Sequence, residues 1–269
     1  RQIGVVTQET YLFNATVKEN LKFDAIYTGY LGSTEQINMI KDNLSNILKD
    51  IPEGTSLVAV SKFHPFSSIV EAYEAGQRVF AESRPQELQK KVAELEATPL
   101  PGLEWQFIGH LQTNKLKMVL PYVSLVQSVD SIHLLEEIDK WGRTNGKVIE
   151  VLLEMHVAEE ETKQGFYEEE ILDILFRVAA ARQDGKKEPY PNIRFRGLMG
   201  MATNTDDEEI IRADFARLAD FMDYLKDLFS EIPEFSELSI GMSGDWKIAV
   251  EYGSTMVRIG TAIFGERVY

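Results

Sequence analysis

The sequence predicts an α/β protein built as a single (β/α)8 barrel, and three observations support this prediction. The chain has 269 residues, and a barrel of eight βα units needs about 250 residues. Eight short apolar runs alternate with helical patterns, as parallel strands joined by crossover helices require. Several runs are almost continuously apolar, which is typical of strands buried on both faces. An open doubly wound sheet is the structural alternative, although the dinucleotide-binding pattern G-x-G-x-x-G is absent.

The apolar runs and the helical periodicity give the expected elements in chain order. The predicted strands are Leu57–Val60, Arg78–Ala81, Trp105–Gly109, Ser124–Ser128, Lys147–His156, Ile193–Met199, Glu237–Met242 and Thr255–Gly260. The clearest helix covers residues 207–229, where apolar residues step by four and three, and Asn204 or Thr205 is expected to cap its start. The other expected helices run from Ser33 to Lys49, from Pro65 or Phe66 to Ala75 before Gly76, and from Ser83 or Arg84 to about Leu95.

Composition limits the classes of function. Apolar residues make up 44% of the chain, which is enough for a large core, and the net charge of −15 disfavours binding to nucleic acid. The chain contains no cysteine, so disulfides, thiolate nucleophiles and thiolate metal sites are excluded. No apolar run approaches the roughly 18 residues of a membrane span, and no secretory signal is visible. We therefore expect a soluble, cytoplasmic protein that does not bind membranes.

The first residues do not fit the barrel pattern. Residues 1–24 resemble the stretch around the glutamine loop of ABC-transporter ATPase domains, but the phosphate-binding pattern G-x-x-x-x-G-K-[ST] is absent from the chain. We expect residues 1–32 to be an N-terminal extension, a fusion or gene-boundary remnant without ATPase function, and residues 33–269 to be the barrel domain. An unrelated amphipathic extension is the alternative. Because the first residue is Arg1, the sequence is expected to be a fragment, a processed form or an engineered form.

Lys62 is the first candidate for chemistry. It follows the apolar run LVAV and one serine, and it therefore lies just past the C-terminal end of the first predicted strand, where barrels place their active-site residues. A lysine in this position can form an imine with an aldehyde if its surroundings lower its pKa. On this evidence alone, Lys62 is more simply a solvated surface residue. A Ser61–Lys62 hydrolase dyad is disfavoured, because adjacent strand residues point to opposite faces.

Two loops near the C-terminus favour a phosphate site. The segment SIGMSGDW closes the seventh predicted strand with Ser243 and Gly244, and MVRIGTAIFG closes the eighth with Arg258, Gly260 and Thr261. Barrels frequently bind phosphate with the loops after strands seven and eight, through backbone N–H groups at a helix start. The alternative is that both loops are ordinary tight turns. Their pairing at both expected positions favours phosphate.

Together, these segments resemble the pyridoxal phosphate homeostasis protein family, of the YggS/PROSC type. The resemblance covers roughly residues 33–269. The matching motifs occur in the family's order: VAVSK, AGQRVFAE, PQE, LEWQFIGHLQTNK, ETKQGF, RGLMGMA, LSIGMSGD and GSTMVRIGTAIFGER. The resemblance implies a TIM-type barrel of the fold type III class that binds pyridoxal 5'-phosphate (PLP), similar to the N-terminal domain of alanine racemase.

The resemblance also implies roles for individual residues. Lys62 matches the Schiff-base lysine of the family, while Ser243, Gly260 and Thr261 match its phosphate ligands, beside Gly244. Arg258 matches an arginine that faces either the pyridine nitrogen or the phosphate.

Other positions match the pocket or depart from the family. Met199, His110 and Asn114 lie on segments that line the pocket mouth in such proteins. Ser83 stands where the family often has a cofactor-contacting asparagine, and the shorter side chain puts that contact in doubt. His156 replaces a common asparagine and is read as a packing residue.

These residues favour a cofactor-binding protein and not an enzyme, so no established turnover is expected. We expect storage or delivery of PLP within PLP homeostasis, with PLP-dependent enzymes as possible recipients and a monomeric state. A low-activity amino-acid racemase is the alternative. A racemase needs a second base, and because the barrel takes residues 33–269, no residues remain for a second domain that could supply that base. A partner-binding regulatory module is a third reading. The four histidines are widely spaced and lack the H-E-x-x-H pattern, so no metal site is expected.

Overall fold

The computed structural model describes residues 34–157 and 165–266, and the eight strands in these ranges close into a parallel barrel in the order β1 to β8. β1 pairs with both β2 and β8, which closes the sheet and rules out the open doubly wound alternative. The strands are β1 Ser56–Val60, β2 Val79–Glu82, β3 Glu104–Phe107, β4 Val123–Val129, β5 Ile149–Glu154, β6 Ile193–Met199, β7 Glu237–Ser239 and β8 Met256–Ile259. The barrel prediction is confirmed.

Helices follow the strands around the outside of the barrel. They are α1 Thr34–Asp50, α2 Phe66–Glu74, α3 Pro85–Ala97, α4 Leu116–Val119, α5 Ile132–Asn145, α6 Glu168–Gln183, α7 Glu208–Leu228, α8 Trp246–Glu251 and α9 Thr261–Phe264, with a short 3-10 turn over Thr113–Lys115. The predicted cap of the α7 helix is wrong: Asp207 is the N-cap, and its carboxylate accepts a hydrogen bond from the amide of Glu209. Thr205 does not cap the helix, because its hydroxyl accepts a hydrogen bond from the amide of Asp207 instead.

Two strands, β5 and β7, are each at least three residues shorter than expected. β7 ends at Ser239 because Gly241 turns the chain with a φ of +94°, and a Cβ at that glycine would lie 2.6 Å from the Cβ of Ala249. β5 ends at Glu154 because the next residue, Met155, forms an isolated bridge with Phe166. In both cases the chain leaves the ladder at the mouth of the barrel, where loop geometry and not hydrophobicity sets the strand end.

The alternation of side chains along each strand divides the core into two parts. One part fills the space between strands and helices and contains Leu57, Ala59, Phe80 and Phe107. The other is a smaller cluster inside the barrel, with these members: Val58, Val60, Ala81, Leu125, Leu152, Met199 and Met256. Residues two positions beyond the interior residues of a strand therefore point into the barrel mouth.

No helix within residues 34–157 and 165–266 is both long enough and apolar enough to cross a membrane. Over the same residues, no group of three or more histidine, aspartate or glutamate side chains could hold a metal ion.

Candidate functional site

Lys62 lies at the C-terminal end of β1, two residues beyond Val60. Because Val58 and Val60 belong to the interior cluster, the alternation directs Lys62 towards the inside of the barrel mouth. Its side chain is half-buried. Ser61 points the other way and is fully buried, and its hydroxyl donates to Glu82 Oε1 over 2.6 Å. The hydroxyl of Ser61 is thus engaged on the opposite face of the strand from Lys62, which argues against a Ser–Lys dyad.

The loops after β7 and β8 meet at Ser243. The Ser243 hydroxyl oxygen accepts from the amides of Gly260, at 3.1 Å, and Ala262, at 3.4 Å. A Cβ built on Gly244 would have no heavy atom within 4 Å, so the loop is open there. Thr261 is exposed and is the first residue of α9. Backbone amides and hydroxyl groups therefore converge at the phosphate position that the sequence predicts.

A half-buried carboxylate shapes the first of these loops. Asp245 Oδ1 accepts from the amide of Met242 over 2.5 Å, and this bond closes the turn that carries Ser243. Burial raises the pKa of Asp245, while the bond from the amide of Met242 and the charge of Arg258 act in the opposite direction.

Arg258 lies on β8 inside the barrel and is only 4% exposed. Its Nη1 donates to both the carbonyl and the hydroxyl of Ser239 over 2.7 Å, and its Nη2 donates to the carbonyl of Gly200 over 2.9 Å. Burial lowers the pKa of Arg258 to about 10, against the opposing charges of Glu154 and Asp245. The guanidinium therefore remains a fixed positive charge at neutral pH.

The position of Arg258 depends on a polar chain that the sequence analysis missed. Ser239 Oγ donates to Gln127 Oε1 over 2.7 Å, and Gln127 Nε2 donates to Gln106 Oε1 over 2.5 Å. All three side chains are buried, and they link β3, β4, β7 and β8 across the barrel interior. A signal was available: Gln106 and Gln127 are long polar residues on the interior side of two strands, where apolar residues are expected.

The sequence analysis also missed Glu154. It ends β5, pairs with Met199 of β6, and is 8% exposed, two positions beyond the interior residue Leu152. Burial raises its pKa to about 7, the charge of Asp130 adds to this, and Arg258 and His110 oppose it. The barrel mouth thus contains a carboxyl group that titrates near neutral pH. Met199 is 1% exposed and belongs to the interior cluster.

The remaining predicted residues lie around the rim. Ser83 follows β2 and is half-buried, and Gly109 packs so closely against it that a Cβ there would lie 2.1 Å from the Ser83 carbonyl oxygen. His110 and Asn114 line a separate cavity of about 410 Å³ between the loops after β3 and β4, where His110 Nδ1 lies 2.9 Å from Asp130 Oδ2.

His156 lies on the loop after β5. Its ring packs edge-on against Tyr167, with 5.5 Å between the ring centroids, as expected for a packing residue.

Comparisons with known proteins agree with this architecture. The family model of the alanine racemase N-terminal domain matches residues 36–268. The pyridoxal phosphate homeostasis protein of Vibrio alginolyticus is 35% identical over 244 residues, which cover 87% of this chain and all of that protein. The protein of the same name from Aquifex aeolicus is 35% identical over 242 residues, covering 89% of this chain and all of the relative.

Solved structures give the same result. PipY of Synechococcus elongatus PCC7942, solved without PLP, superposes with a TM-score of 0.75 at 34% identity over 84% of this chain and all of PipY. The structure of PipY with PLP bound gives a TM-score of 0.73 at 33% identity, again over 84% of this chain and all of PipY. The alanine racemase of Clostridium difficile shares the fold, with a TM-score of 0.62 at 16% identity over 85% of this chain and 57% of the racemase. The chain therefore belongs to the pyridoxal phosphate homeostasis protein family, whose barrel is the alanine racemase N-terminal domain.

Proposed function

We propose that this protein binds PLP through a Schiff base on Lys62 and serves PLP homeostasis by holding and delivering the cofactor. The observation that carries the proposal is the meeting of three features on neighbouring strands of one barrel. Lys62 follows β1, Arg258 lies on the adjacent β8, and Ser243 follows β7. PLP needs a lysine that reacts with its aldehyde and amides that converge on its phosphate, together with a buried cation. The name of the close relatives and the PLP-bound PipY structure support the same cofactor.

The residues present fit PLP on chemical grounds. The amides of Gly260 and Ala262 already point at one oxygen, that of Ser243, and can donate equally to a phosphate oxygen. Gly244 leaves the loop open, and Thr261 adds an exposed hydroxyl. We assign the phosphate to these residues and the aldehyde to Lys62.

We place the ring between Lys62 and the loops, with Arg258, Met199 and Ser83 around it. When bound, PLP supplies an electron sink whose strength depends on the protonation of the pyridine nitrogen. Arg258 stays cationic and is anchored by Ser239 and Gly200. If it faces the pyridine nitrogen, it keeps that nitrogen unprotonated and the sink weak, which favours holding the cofactor over turnover.

The visible absorption spectrum of the purified protein tests the proposal. We expect an absorption band typical of a protein imine after PLP is added, its loss in Lys62→Ala, and its retention in Lys140→Ala, a matched change at an exposed lysine of α5. An equal band in both variants would refute the assignment of Lys62.

One observation favours a second function, low-activity amino-acid racemisation. A racemase needs proton-transferring groups on both sides of its substrate, and Glu154 is a buried carboxyl group at the barrel mouth that titrates near neutral pH. Amino acids in D₂O distinguish the two functions. Exchange of the α-proton at enzymatic rates, lost in Lys62→Ala, would establish the racemase, whereas negligible exchange together with spectral changes supports the carrier.

We further propose that the protein acts as a cytoplasmic monomer and passes PLP to PLP-dependent enzymes. The absence of cysteine and the acidic surface are compatible with this setting. Light scattering at several concentrations tests the monomer. Reactivation of a cofactor-free PLP enzyme faster than by an equal concentration of free PLP would demonstrate delivery.

A further inference from the structure

The chain makes an unusual turn directly after Lys62. Phe63 has a φ of +68°, and among the described residues it is the one non-glycine residue with a positive φ. This conformation is uncommon for a residue with a bulky side chain, and it persists only where the surroundings hold it in place. The guanidinium of Arg84 lies over the Phe63 ring, 4.5 Å from its centre.

Helix α3 binds both peptide groups that flank Lys62. The carbonyl of Ser61 accepts from Lys91 Nζ over 2.8 Å, and the amide of Phe63 donates to Glu87 Oε1 over 2.6 Å. Glu87 and Lys91 are one helical turn apart and also contact each other, with 3.1 Å between Oε1 and Nζ. One turn of helix thus holds the backbone on both sides of Lys62.

A third charged residue anchors this pair to the barrel wall. Glu82 ends β2 and is fully buried, and its Oε1 accepts from Lys91 Nζ over 2.6 Å and from the Ser61 hydroxyl over 2.6 Å. The Lys91 side chain is 4% exposed. Burial raises the pKa of Glu82, and its charge and hydrogen-bond contacts with Lys91 oppose this. Well-packed apolar residues could usually replace a buried ion pair without loss of stability, so a purely structural role does not explain the cluster well.

We propose that Glu87 and Lys91, supported by Glu82, are positioning residues that fix the backbone of Lys62 and thereby direct its amino group into the barrel mouth. The inference rests on the proposed function only in what Lys62 then binds. Outer partners of this kind hold a reactive side chain in its productive geometry, and small displacements there lower reactivity strongly.

Substitutions of Glu87 test this role in the full chain. Glu87→Ala removes the acceptor of the Phe63 amide, whereas Glu87→Gln keeps an oxygen at the same place. Glu94→Ala is the matched control, because Glu94 lies on the same helix and, among the described residues, its side chain pairs only with the exposed Lys90, at 3.9 Å. Lys91→Met is less useful, since it leaves Glu82 buried without its cation and can unfold the protein.

Two measurements are made on each variant. The first is the rate at which cofactor-free protein captures added PLP, followed by visible absorbance. We expect Glu87→Ala to be slower by about tenfold, since a hydrogen bond to a charged group is worth roughly that factor or more, while Glu87→Gln and Glu94→Ala stay near wild type. The second is hydrogen exchange of residues 61–64 without PLP, which should accelerate in Glu87→Ala alone.

The outcomes separate this inference from the proposed function. If the wild-type protein captures no PLP, the proposed function fails, and hydrogen exchange alone decides the positioning role. Exchange and capture rates in Glu87→Ala equal to those of Glu94→Ala would overturn the inference. So would equal losses in Glu87→Ala and Glu87→Gln, because the effect would then follow the charge of Glu87 and not its hydrogen bond to Phe63.

Discussion

Single buried charges determine the chemistry of the barrel mouth. Arg258 donates three hydrogen bonds to backbone and hydroxyl oxygens, and Glu154 is a buried carboxyl group at the end of β5. The arginine therefore stays charged at neutral pH, while the carboxyl group of Glu154 gains a proton near pH 7. The site combines a permanent cation with a carboxyl group that responds to pH.

The raised pKa of Glu154 predicts a pH-dependent stability. The pKa is about 7 in the folded protein and near the usual 4.5 in the unfolded chain, so the folded state binds more protons between these values. The free energy of unfolding should fall as pH rises from about 4.5 to 7, by on the order of 3 kcal/mol. Glu154→Gln should remove this loss.

Urea denaturation at several pH values measures the effect. The control is Glu150→Gln, a partly exposed position on the same strand that pairs with Arg194 at 3.0 Å. An unchanged pH profile in Glu154→Gln would show that the carboxyl group of Glu154 does not titrate in this window.

The phosphate assignment predicts a selective loss at Thr261. Thr261→Leu replaces a hydroxyl with a bulky apolar side chain at the convergent amides, so binding of PLP should weaken tenfold or more, since hydrogen bonds to a charged group are worth roughly 1.5–3 kcal/mol. Binding of unphosphorylated pyridoxal should change little. Titration calorimetry with both ligands, and with Thr144→Leu on α5 as the control, gives the comparison. Equal losses for both ligands would contradict the assignment.

At the scale of elements, hydrophobic pattern predicts much of this fold. Eight apolar runs mark the eight strands, and the helix that ends before Gly76 is confirmed, since that glycine has a φ of +105°. Strand ends could not be predicted, because Gly241 and the Met155–Phe166 bridge set them through tertiary contacts.

The same limit applies to the candidate site. Lys62, Ser243 and Gly260 stand out in the sequence because each lies at or just past the end of a predicted strand. Glu82, Lys91 and Glu154 do not, because a charge run along a helix or at a strand end is usually solvated. Only the packing of α3 against β1 and β2 shows that Lys91 is buried and contacts Glu82.

The pairing of β5 and β6 is irregular, and Gly197 of β6 is expected to be sensitive to substitution. Gly197 has a φ of +151°, and a Cβ there would lie 1.8 Å from the carbonyl oxygen of Glu237 on β7. Gly197→Ala should therefore destabilise the protein by about 3 kcal/mol or more, as backbone strain and overpacking add.

The matched control is Gly185→Ala. Gly185 also has a positive φ, +62°, but no atom lies within 4 Å of a Cβ built there, so only about 1–2 kcal/mol is expected. Thermal unfolding of both variants tests the difference. Similar midpoints would show that β6 and β7 can move apart at Gly197.

At the scale of the whole molecule, the family model matches residues 36–268, the part of the chain that we assign to the barrel domain. Residues 1–32 lie outside the described residues, so their assignment as an extension stays a prediction. A chain that begins at Leu31 should fold and bind PLP as the full chain does, because the motifs of the site all follow that point. Circular dichroism and a PLP titration test this, and loss of the folded signal would show that the extension is part of the domain.

The central claim is that one lysine at the mouth of this barrel holds PLP, and reductive trapping tests it most directly. The protein is incubated with PLP, treated with borohydride and digested, and the modified peptide is identified by mass spectrometry. The account predicts the adduct on Lys62, within the segment that follows β1. An adduct on another lysine, with Lys62 unmodified, would contradict the account.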